Sequence, residues 1–318
     1  MKDNTKASVS EKPMKIKRRR FDVDNFQMWT LAIIPILLVF VFCYIPMGGI
    51  IIAFKDYNYT GGIFGSPWVG FKNFEFMLTT NAFTRIATNT IFMNFLIIAS
   101  STICSVLVAL ILFQLRSRNA TKLYQTVMIT PHFLSWVVVS YMAYALLHPT
   151  NGTLNQLLES VGIKPVDWYS KPDAWPPILT IASVWKHLGM DSLIYYATLM
   201  GVDISLVEAA KVDGASKLQV NRYIMIPMLA GIMTIQIILK IGGIFRADFG
   251  LFYQVPRNIG ALYRTTDVID TYIFRAMRIS GDMGTSSATG LLQSIVGFVL
   301  VVATNWIVGR FDKDKQLF

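Results

Sequence analysis

The stretch SLVEAAKVDGASKLQVNRYIMIP, residues 205–227, is a polar interruption in an otherwise apolar chain. Ser205 followed three residues later by Glu208 predicts a capping box, in which each side chain takes a free backbone N–H of the first helical turn. Gly214 predicts the end of this short helix, because glycine accepts the left-handed conformation of a helix C-cap. Ala209 and Ala210 give the helix a smooth face that another surface can approach closely.

The second half of the stretch, residues 216–226, is amphipathic and leads to Pro227, which suits the first turn of a following helix. A simple connection between two membrane helices would explain these signals. It would not explain an insert of 27 residues, 201–227, when the other loop on the same side has about seven. We therefore interpret residues 201–227 as a hairpin that docks a soluble partner.

Composition places this hairpin in a membrane protein. The chain is 53% hydrophobic and 15% charged, whereas soluble domains carry about 25% charged residues. A helix needs about 20 apolar residues to cross a bilayer, and six runs are long enough: 29–54, 86–115, 123–147, 176–200, 228–252 and 286–308. The expected fold is all-α, a polytopic membrane protein with six transmembrane helices, and residues 1–28 form a basic N-terminal arm.

The distribution of basic residues predicts the orientation. Of the 29 Lys and Arg residues, 17 lie in the N-terminal arm, the 116–122 loop, the hairpin and the C-terminal tail. The side richer in Lys and Arg is cytoplasmic. Both termini and the hairpin are therefore expected in the cytoplasm, and the net charge of +10 requires no nucleic acid.

Several kinds of chemistry find no support in the sequence. Cys43 and Cys104 fall inside predicted spans, and no Cys/His cluster has the spacing of a metal site. No phosphate-binding loop of the form G-x-x-x-x-G-K-[ST] occurs, and no nucleophile motif stands out. We expect no catalytic residue, no metal and no cofactor in this chain.

The hairpin resembles the EAA loop of the permeases of type I, MetI-like bacterial ABC importers. That pattern is EAA, three residues, Gly, nine residues, Ile, one residue, a Leu-like residue and Pro. The matching residues are Glu208, Ala209, Ala210, Gly214, Ile224, Ile226 and Pro227. Asp213 and Ala215 fit the DGA sequence common in the sugar branch. Further stretches, such as SPWVGFKNF and GLLQSIVGFVL, resemble the LplB-type permeases for complex carbohydrates, and the resemblance covers residues 29–318.

The resemblance implies a permease domain over residues 29–318, with a MetI-like core at about 86–308 and a coupling helix in the hairpin. It also implies a cytoplasmic ATPase dimer that binds ATP, a second homologous permease, an extracellular solute-binding lipoprotein and a sugar substrate. The location it implies is the bacterial plasma membrane, in contact with lipid.

Charged and aromatic residues inside the predicted spans are candidates for the translocation path. A charge at the bilayer centre costs about 2.5–3.5 kcal/mol on the insertion scale, so such residues face a cavity or a partner. Aromatic rings offer apolar faces to sugars. The candidates are Lys186, His187, Asp191, Lys240, Trp136, Tyr144 and Trp185. The alternative is that they pair inside the bundle and fix helix packing.

Two other functions remain open at this point. His187 and Asp191 are spaced i, i+4 and share a helical face, which would suit an ion-coupled secondary carrier that acts without an ATPase. A membrane-embedded enzyme would need acid and base groups that converge near one interface, and the sequence offers no such set.

Overall fold

A computed structural model describes residues 23–115 and 117–311 of the chain. These residues form helices, and their only β pairing is an isolated bridge between Lys55 and Trp68. Most of the predicted arm, 1–28, and the tail after residue 311 lie outside this range. The described chain divides into two compact units at Gly49 and Ile50.

The first unit contains α1, Val23–Val39, a π turn, Phe40–Tyr44, and α2, Ile45–Met47. A 3-10 helix, Gly48–Phe54, continues the run. The helical type therefore changes at the Pro46–Gly49 region, where proline and glycine predict a kink or loose packing. The whole run Gln27–Phe54 is long and apolar enough to cross a membrane.

An aromatic loop opens the second unit. It contains α3, Gly62–Gly65, a 3-10 turn, Lys72–Phe74, and α4, Glu75–Thr79. The Lys55 ammonium donates to the carbonyl oxygens of Ile63 and Phe64 at 2.8 and 3.0 Å, which closes the loop. The rings of four residues pack together in it: Phe54, Trp68, Phe71 and Phe74.

The centre of the bundle is the pair formed by α5, Asn81–Gln114, and a later helix, Trp175–Met200. At 1.5 Å per residue, the 34 residues of α5 extend about 51 Å. That exceeds a hydrocarbon layer of about 30 Å, so α5 tilts or extends past the apolar layer.

The third span is broken. It consists of α6, Arg118–Ile129, a 3-10 turn, Thr130–Phe133, and α7, Trp136–Leu147. The two arms are bent by 99°. Pro131 predicts a kink here because proline lacks the N–H that a helix needs, and the break confirms it. Outside this span, α8, Thr153–Ser160, precedes the Trp175–Met200 helix, which is α9.

The hairpin and the fifth span are continuous with each other. The hairpin holds α10, Ile204–Val212, and α11, Lys217–Val220. A π turn, Asn221–Met225, then joins α11 to α12, Ile226–Gly242. Pro227 lies in the first turn of α12, as predicted, although the helical run Lys217–Gly242 continues through it. The π turn relieves the clash between the proline ring and the preceding helical turn.

The fifth span ends earlier than predicted. Sequence hydropathy favours a span over 228–252, but the helical run stops at Gly242 and the chain bends before α13, Phe249–Gln254. Two short helices follow, α14, Tyr263–Thr266, and α15, Ile269–Arg278, and the chain returns in α16, Met283–Phe311. Six candidate spans result when the bent third span is counted once and α9 is counted with the bent hairpin helix.

Candidate functional site

The hairpin helix α10 starts at an aspartate. The Asp203 carboxylate accepts the backbone N–H of Ser205 at 2.9 Å, and this hydrogen bond holds the pKa of Asp203 below its usual range. The predicted capping box of Ser205 and Glu208 is therefore wrong: Asp203 stands two residues earlier and caps the helix itself. A capping box does occur at the start of α11, between Ser216 and Gln219.

The end of α10 is a Schellman motif. Gly214 lies in the left-handed region at φ +82°, which confirms that it ends the helix. The N–H of Ala215 donates to the carbonyl of Ala210 at 2.9 Å, and the N–H of Gly214 donates to that of Lys211 at 3.1 Å. Both pairs are those that this motif requires. The DGA sequence therefore turns the chain between α10 and α11, with Asp213 as the C-cap residue.

One face of the hairpin is anchored in the bundle. Val207, Val220 and Met225 are buried in a cluster with residues of α5, α9 and α12. Three motif residues pack partly buried against the same cluster: Ala210, Ala215 and Ile224. The two alanines of the motif thus have different roles, because Ala210 faces the bundle while Ala209 is exposed.

The opposite face of the hairpin is open and partly apolar. Glu208 and Ala209 are exposed, and Glu208 makes no ion pair among the described residues. Val212 is 87% exposed and Leu218 is 76% exposed. Ile226 and Pro227 also reach the surface. These exposed apolar side chains lie on a hairpin whose helices are capped at Asp203, Gly214 and Ser216.

The Lys186 side chain forms hydrogen bonds with backbone carbonyls at the break in the third span. It lies in α9 and is 6% exposed. Its ammonium donates to the carbonyl oxygens of His132 and Leu134 at 2.7 and 2.6 Å, and more weakly to that of Pro131 at 3.5 Å. Carbonyls freed by a broken helix have no water to bind in an apolar interior. The contacts of Lys186 thus match the packing alternative.

We expect Lys186→Met to destabilise the folded protein by about 3 kcal/mol or more, because hydrogen bonds to a charged group contribute about 1.5–3 kcal/mol each. Thermal unfolding of the purified protein measures this, with Lys164→Met as the control because Lys164 is exposed in a loop. Equal stability of the two variants would show that the carbonyls bind water instead. It would then favour the alternative that Lys186 lines the translocation path.

A second break follows α12. Side chains from three other helices form hydrogen bonds with its free backbone N–H and C=O groups. The Asn94 amide donates to the carbonyls of Ile244 and Arg246 at 2.8 and 3.0 Å. The Asp270 carboxylate accepts the N–H of Ala247 at 2.7 Å, and Gln293 donates to Asp270 and to a carbonyl of the break. Burial raises the pKa of Asp270.

Sequence reasoning missed the residues that satisfy this second break. The signal was present, since Asn94 and Gln293 are amides inside long apolar runs. Polar groups in such runs normally have a bundle partner.

Trp136 joins the two breaks. Its indole N–H donates to the Asp248 carboxylate at 2.7 Å, and the same carboxylate caps α13 through the N–H of Leu251. Gly250 makes room for the ring, because a Cβ there would lie 2.2 Å from Cδ1 of Trp136. The Lys186 ammonium lies 5.4 Å from the centre of the same ring.

His187 and Asp191 have different partners. The His187 ring lies against Trp136, and its Nδ1 contacts the carbonyl of Ser183 at 3.0 Å. The Asp191 carboxylate binds the Lys240 ammonium at 2.8 Å. This ion pair joins α9 to α12, and each side chain is about a quarter exposed, at 23% and 26%. The i, i+4 spacing of His187 and Asp191 therefore does not produce a contact between them.

For the ion pair, we expect Asp191→Asn and Lys240→Met each to lower the free energy of unfolding by about 1–3 kcal/mol, less than for a fully buried pair because solvent reaches both groups. The exchanged pair, Asp191→Lys with Lys240→Asp, should recover most of the loss. A double-mutant cycle of thermal unfolding measures the coupling. A coupling near zero would contradict a role of the pair in packing.

The remaining aromatic candidates lie apart from this network. Tyr144, in α7, packs between Tyr169 and the Arg257 guanidinium, which lies 4.2 Å from its ring centre. Burial raises the pKa of Tyr169 to about 12. Trp185 is 40% exposed on α9. The structure thus brings Lys186, His187 and Trp136 together and leaves Tyr144 and Trp185 outside that group.

Comparison with known proteins identifies the family. Residues 91–316 match the family described as binding-protein-dependent transport system inner membrane component. The polygalacturonan/rhamnogalacturonan transport system permease protein YteP of Bacillus subtilis is 32% identical over 94% of both chains. Protein LplB of the same organism is 30% identical over 89% of both chains.

A solved structure agrees with these relatives. The chain superposes on one chain from the crystal structure of a bacterial ABC transporter involved in the import of the acidic polysaccharide alginate. The TM-score is 0.82 at 27% identity, and the match covers 91% of this chain and 97% of that chain. The resemblance stated from the hairpin is thereby confirmed. The chain is a multi-pass membrane protein that belongs to the family of binding-protein-dependent transport system inner membrane components.

Proposed function

We propose that this chain is one of two permease subunits of an ATP-driven importer in the bacterial plasma membrane, and that the importer carries an oligosaccharide. The observation that carries the proposal is the hairpin, which is anchored on one face by Val207 and Met225 and presents Val212 and Leu218 on the other. The relatives support a carbohydrate cargo, since YteP serves polygalacturonan and rhamnogalacturonan and the solved transporter imports alginate.

The proposed partners follow from the same arrangement. A cytoplasmic ATPase dimer binds ATP and receives the exposed face of the hairpin, and this chain binds no cofactor of its own and catalyses no reaction. A second, homologous permease completes the pore. An extracellular solute-binding lipoprotein delivers the sugar, as the alginate transporter has been solved in complex with a periplasmic protein that holds an alginate pentasaccharide. Both termini lie in the cytoplasm.

The mechanism we propose is alternating access. ATP binding closes the ATPase dimer and moves the hairpin, and the caps at Asp203 and Gly214 make it rigid enough to transmit that motion to α9 and α12. Asp191 and Lys240, whose side chains are each about a quarter exposed, lie near the path of the sugar, whereas Lys186 holds the broken third span together. An ion-coupled carrier gains no support, because Asp191 pairs with Lys240 and not with His187.

The test is a pull-down of the tagged protein from membranes in mild detergent, with every co-purifying protein identified. The wild type is compared with the double change Glu208→Lys and Gly214→Pro, since proline cannot adopt the positive φ of Gly214. The expected result is that the wild type retains an ATPase and a second six-span protein, and that the variant loses only the ATPase. Recovery of both versions alone would overturn the proposal.

A further inference from the structure

A cavity of about 790 Å³ lies between the hairpin, the end of α5 and the start of α6. Its walls come from the end of α5, the first two turns of α6, the end of α9 and both buried and exposed residues of the hairpin. Three helical spans meet there, at Gln114, Met200 and Lys217. A cavity between the ends of membrane spans lies at the level of the lipid headgroups.

The rim of this cavity is strongly basic. Arg118 and Lys122 come from α6, and Lys211 and Lys217 come from the hairpin, whereas Glu208 is the one acidic residue in the wall. All five are exposed, and none makes an ion pair among the described residues. Four cations and one carboxylate around a single opening favour an anion.

The inner wall of the cavity is apolar with one free donor. Val207, Val220 and Met225 line it and are between 1% and 8% exposed. Gln125 also lines it, and the buried Nε2 atom of this residue has no hydrogen-bond partner among the described residues. An oxygen that enters the cavity would satisfy that donor, and an apolar chain would cover the wall beside it.

From these features we propose that the cavity binds the headgroup of an anionic phospholipid. The phosphate pairs with the cations of the rim, an ester or glycerol oxygen accepts from Gln125, and the start of an acyl chain lies along the apolar wall. The proposal rests on the proposed function only in assigning the cavity to the cytoplasmic leaflet. A lipid held there bridges α6 and the hairpin and restrains the surface that docks the ATPase.

The experiment counts the lipid that stays with the full-length protein. The protein is equilibrated in nanodiscs of equal phosphatidylglycerol and phosphatidylcholine, released into detergent and analysed by native mass spectrometry. The cavity variant is Lys122→Gln with Lys217→Gln. The control is Arg222→Gln with Arg310→Gln, which removes two exposed charges that do not line the cavity.

We expect the cavity variant to retain at least about tenfold less phosphatidylglycerol than the wild type, since each cation near a membrane surface contributes several-fold to binding of an anionic lipid. The control should change by less than about twofold. Inorganic phosphate should fail to displace the lipid, because it has no chain to cover the apolar wall.

Four results would overturn the proposal. Equal losses of phosphatidylglycerol from the cavity and control variants would indicate diffuse attraction to surface charge. Retention of as much phosphatidylcholine as phosphatidylglycerol would show that the site does not recognise the anionic headgroup. Displacement by inorganic phosphate would make the site one for free phosphate. Unchanged lipid with loss of the ATPase in the pull-down would make the cavity a protein docking site. The lipid count needs neither cargo nor ATPase, so its failure leaves the proposed function standing.

Discussion

Replacement of Gly189 by valine should abolish the folded protein. A Cβ at Gly189 would lie 2.1 Å from the carbonyl oxygen of Met128 and 2.5 Å from the backbone nitrogen of Ile129. The obstacle is main chain, which cannot rotate away as a side chain does. The clash falls in the last turn of α6, directly before the break at Pro131, so α9 and α6 would have to separate.

Separation of these helices would also remove the hydrogen bonds that the Lys186 ammonium donates to the carbonyls at the break. Lys186 lies three residues before Gly189, on the same face of α9, and reaches the carbonyls of His132 and Leu134. Overpacking alone costs about 1–3 kcal/mol, and the loss of these hydrogen bonds adds to it. We expect the yield of monodisperse protein on size-exclusion chromatography to fall at least about tenfold.

Gly231→Val provides the matched control. Gly231 also lies in the middle of a membrane helix, α12, and a Cβ there meets no atom within 4 Å. The two variants share the same change in helix propensity and differ in the space available. Similar yields from both would show that the crossing of α6 and α9 tolerates a wider spacing.

The sequence predicted much of this architecture because the signals were local. Long apolar runs predicted the spans, and Pro131 predicted the break in the third. Gly214 predicted the end of α10, since the left-handed conformation there disfavours other residues. Family motifs in the hairpin predicted the transport class, which the relatives confirm.

The error at the end of the fifth span arose because distant residues decide the structure there. Arg246 and Asp248 lie in an apolar run, so hydropathy extended the fifth span across them. The chain bends instead, because Asn94 and Gln293 from other helices satisfy the exposed backbone, and their separations of 150 and 48 residues carry no local signal. The wrong cap of α10 had a local cause, since Asp203 and Ser205 are both good caps and only one can occupy the position.

The interior candidates show the same limit. Lys186 was predicted either to line a path or to fix packing, and its partners lie 52–55 residues earlier in the chain. Composition identifies such a residue as costly in a membrane, but only its neighbours reveal that it binds broken backbone.

Gly214→Val should uncouple the proposed importer while the permease itself still folds. Valine at φ +82° is strained because its β-branched side chain meets the backbone, at a cost of about 1–2 kcal/mol or more. The Schellman motif relaxes by rotating this residue, which breaks the hydrogen bond from Ala215 to Ala210. Residues 208–212 then lose their fixed position against the bundle.

The measurement is ATP hydrolysis by the complex that co-purifies with each variant, expressed per permease chain. We expect Gly214→Val to lower it at least about tenfold, with an unchanged yield of permease because Gly214 is exposed at the hairpin tip. Gly214→Asn should retain more activity, since asparagine tolerates the left-handed region. Gly201→Val, at the other end of the hairpin with φ −86°, should stay close to the wild type.

The order of these three variants distinguishes rigidity from contact. If the hairpin transmits force because it is rigid, activity follows the cost of the left-handed conformation, with Gly201→Val above Gly214→Asn and Gly214→Asn above Gly214→Val. If Gly214 matters because the ATPase packs closely against it, any side chain obstructs that contact, and asparagine fails as completely as valine. Equal activity of Gly214→Val and the wild type would contradict both explanations and would place the coupling elsewhere on the chain.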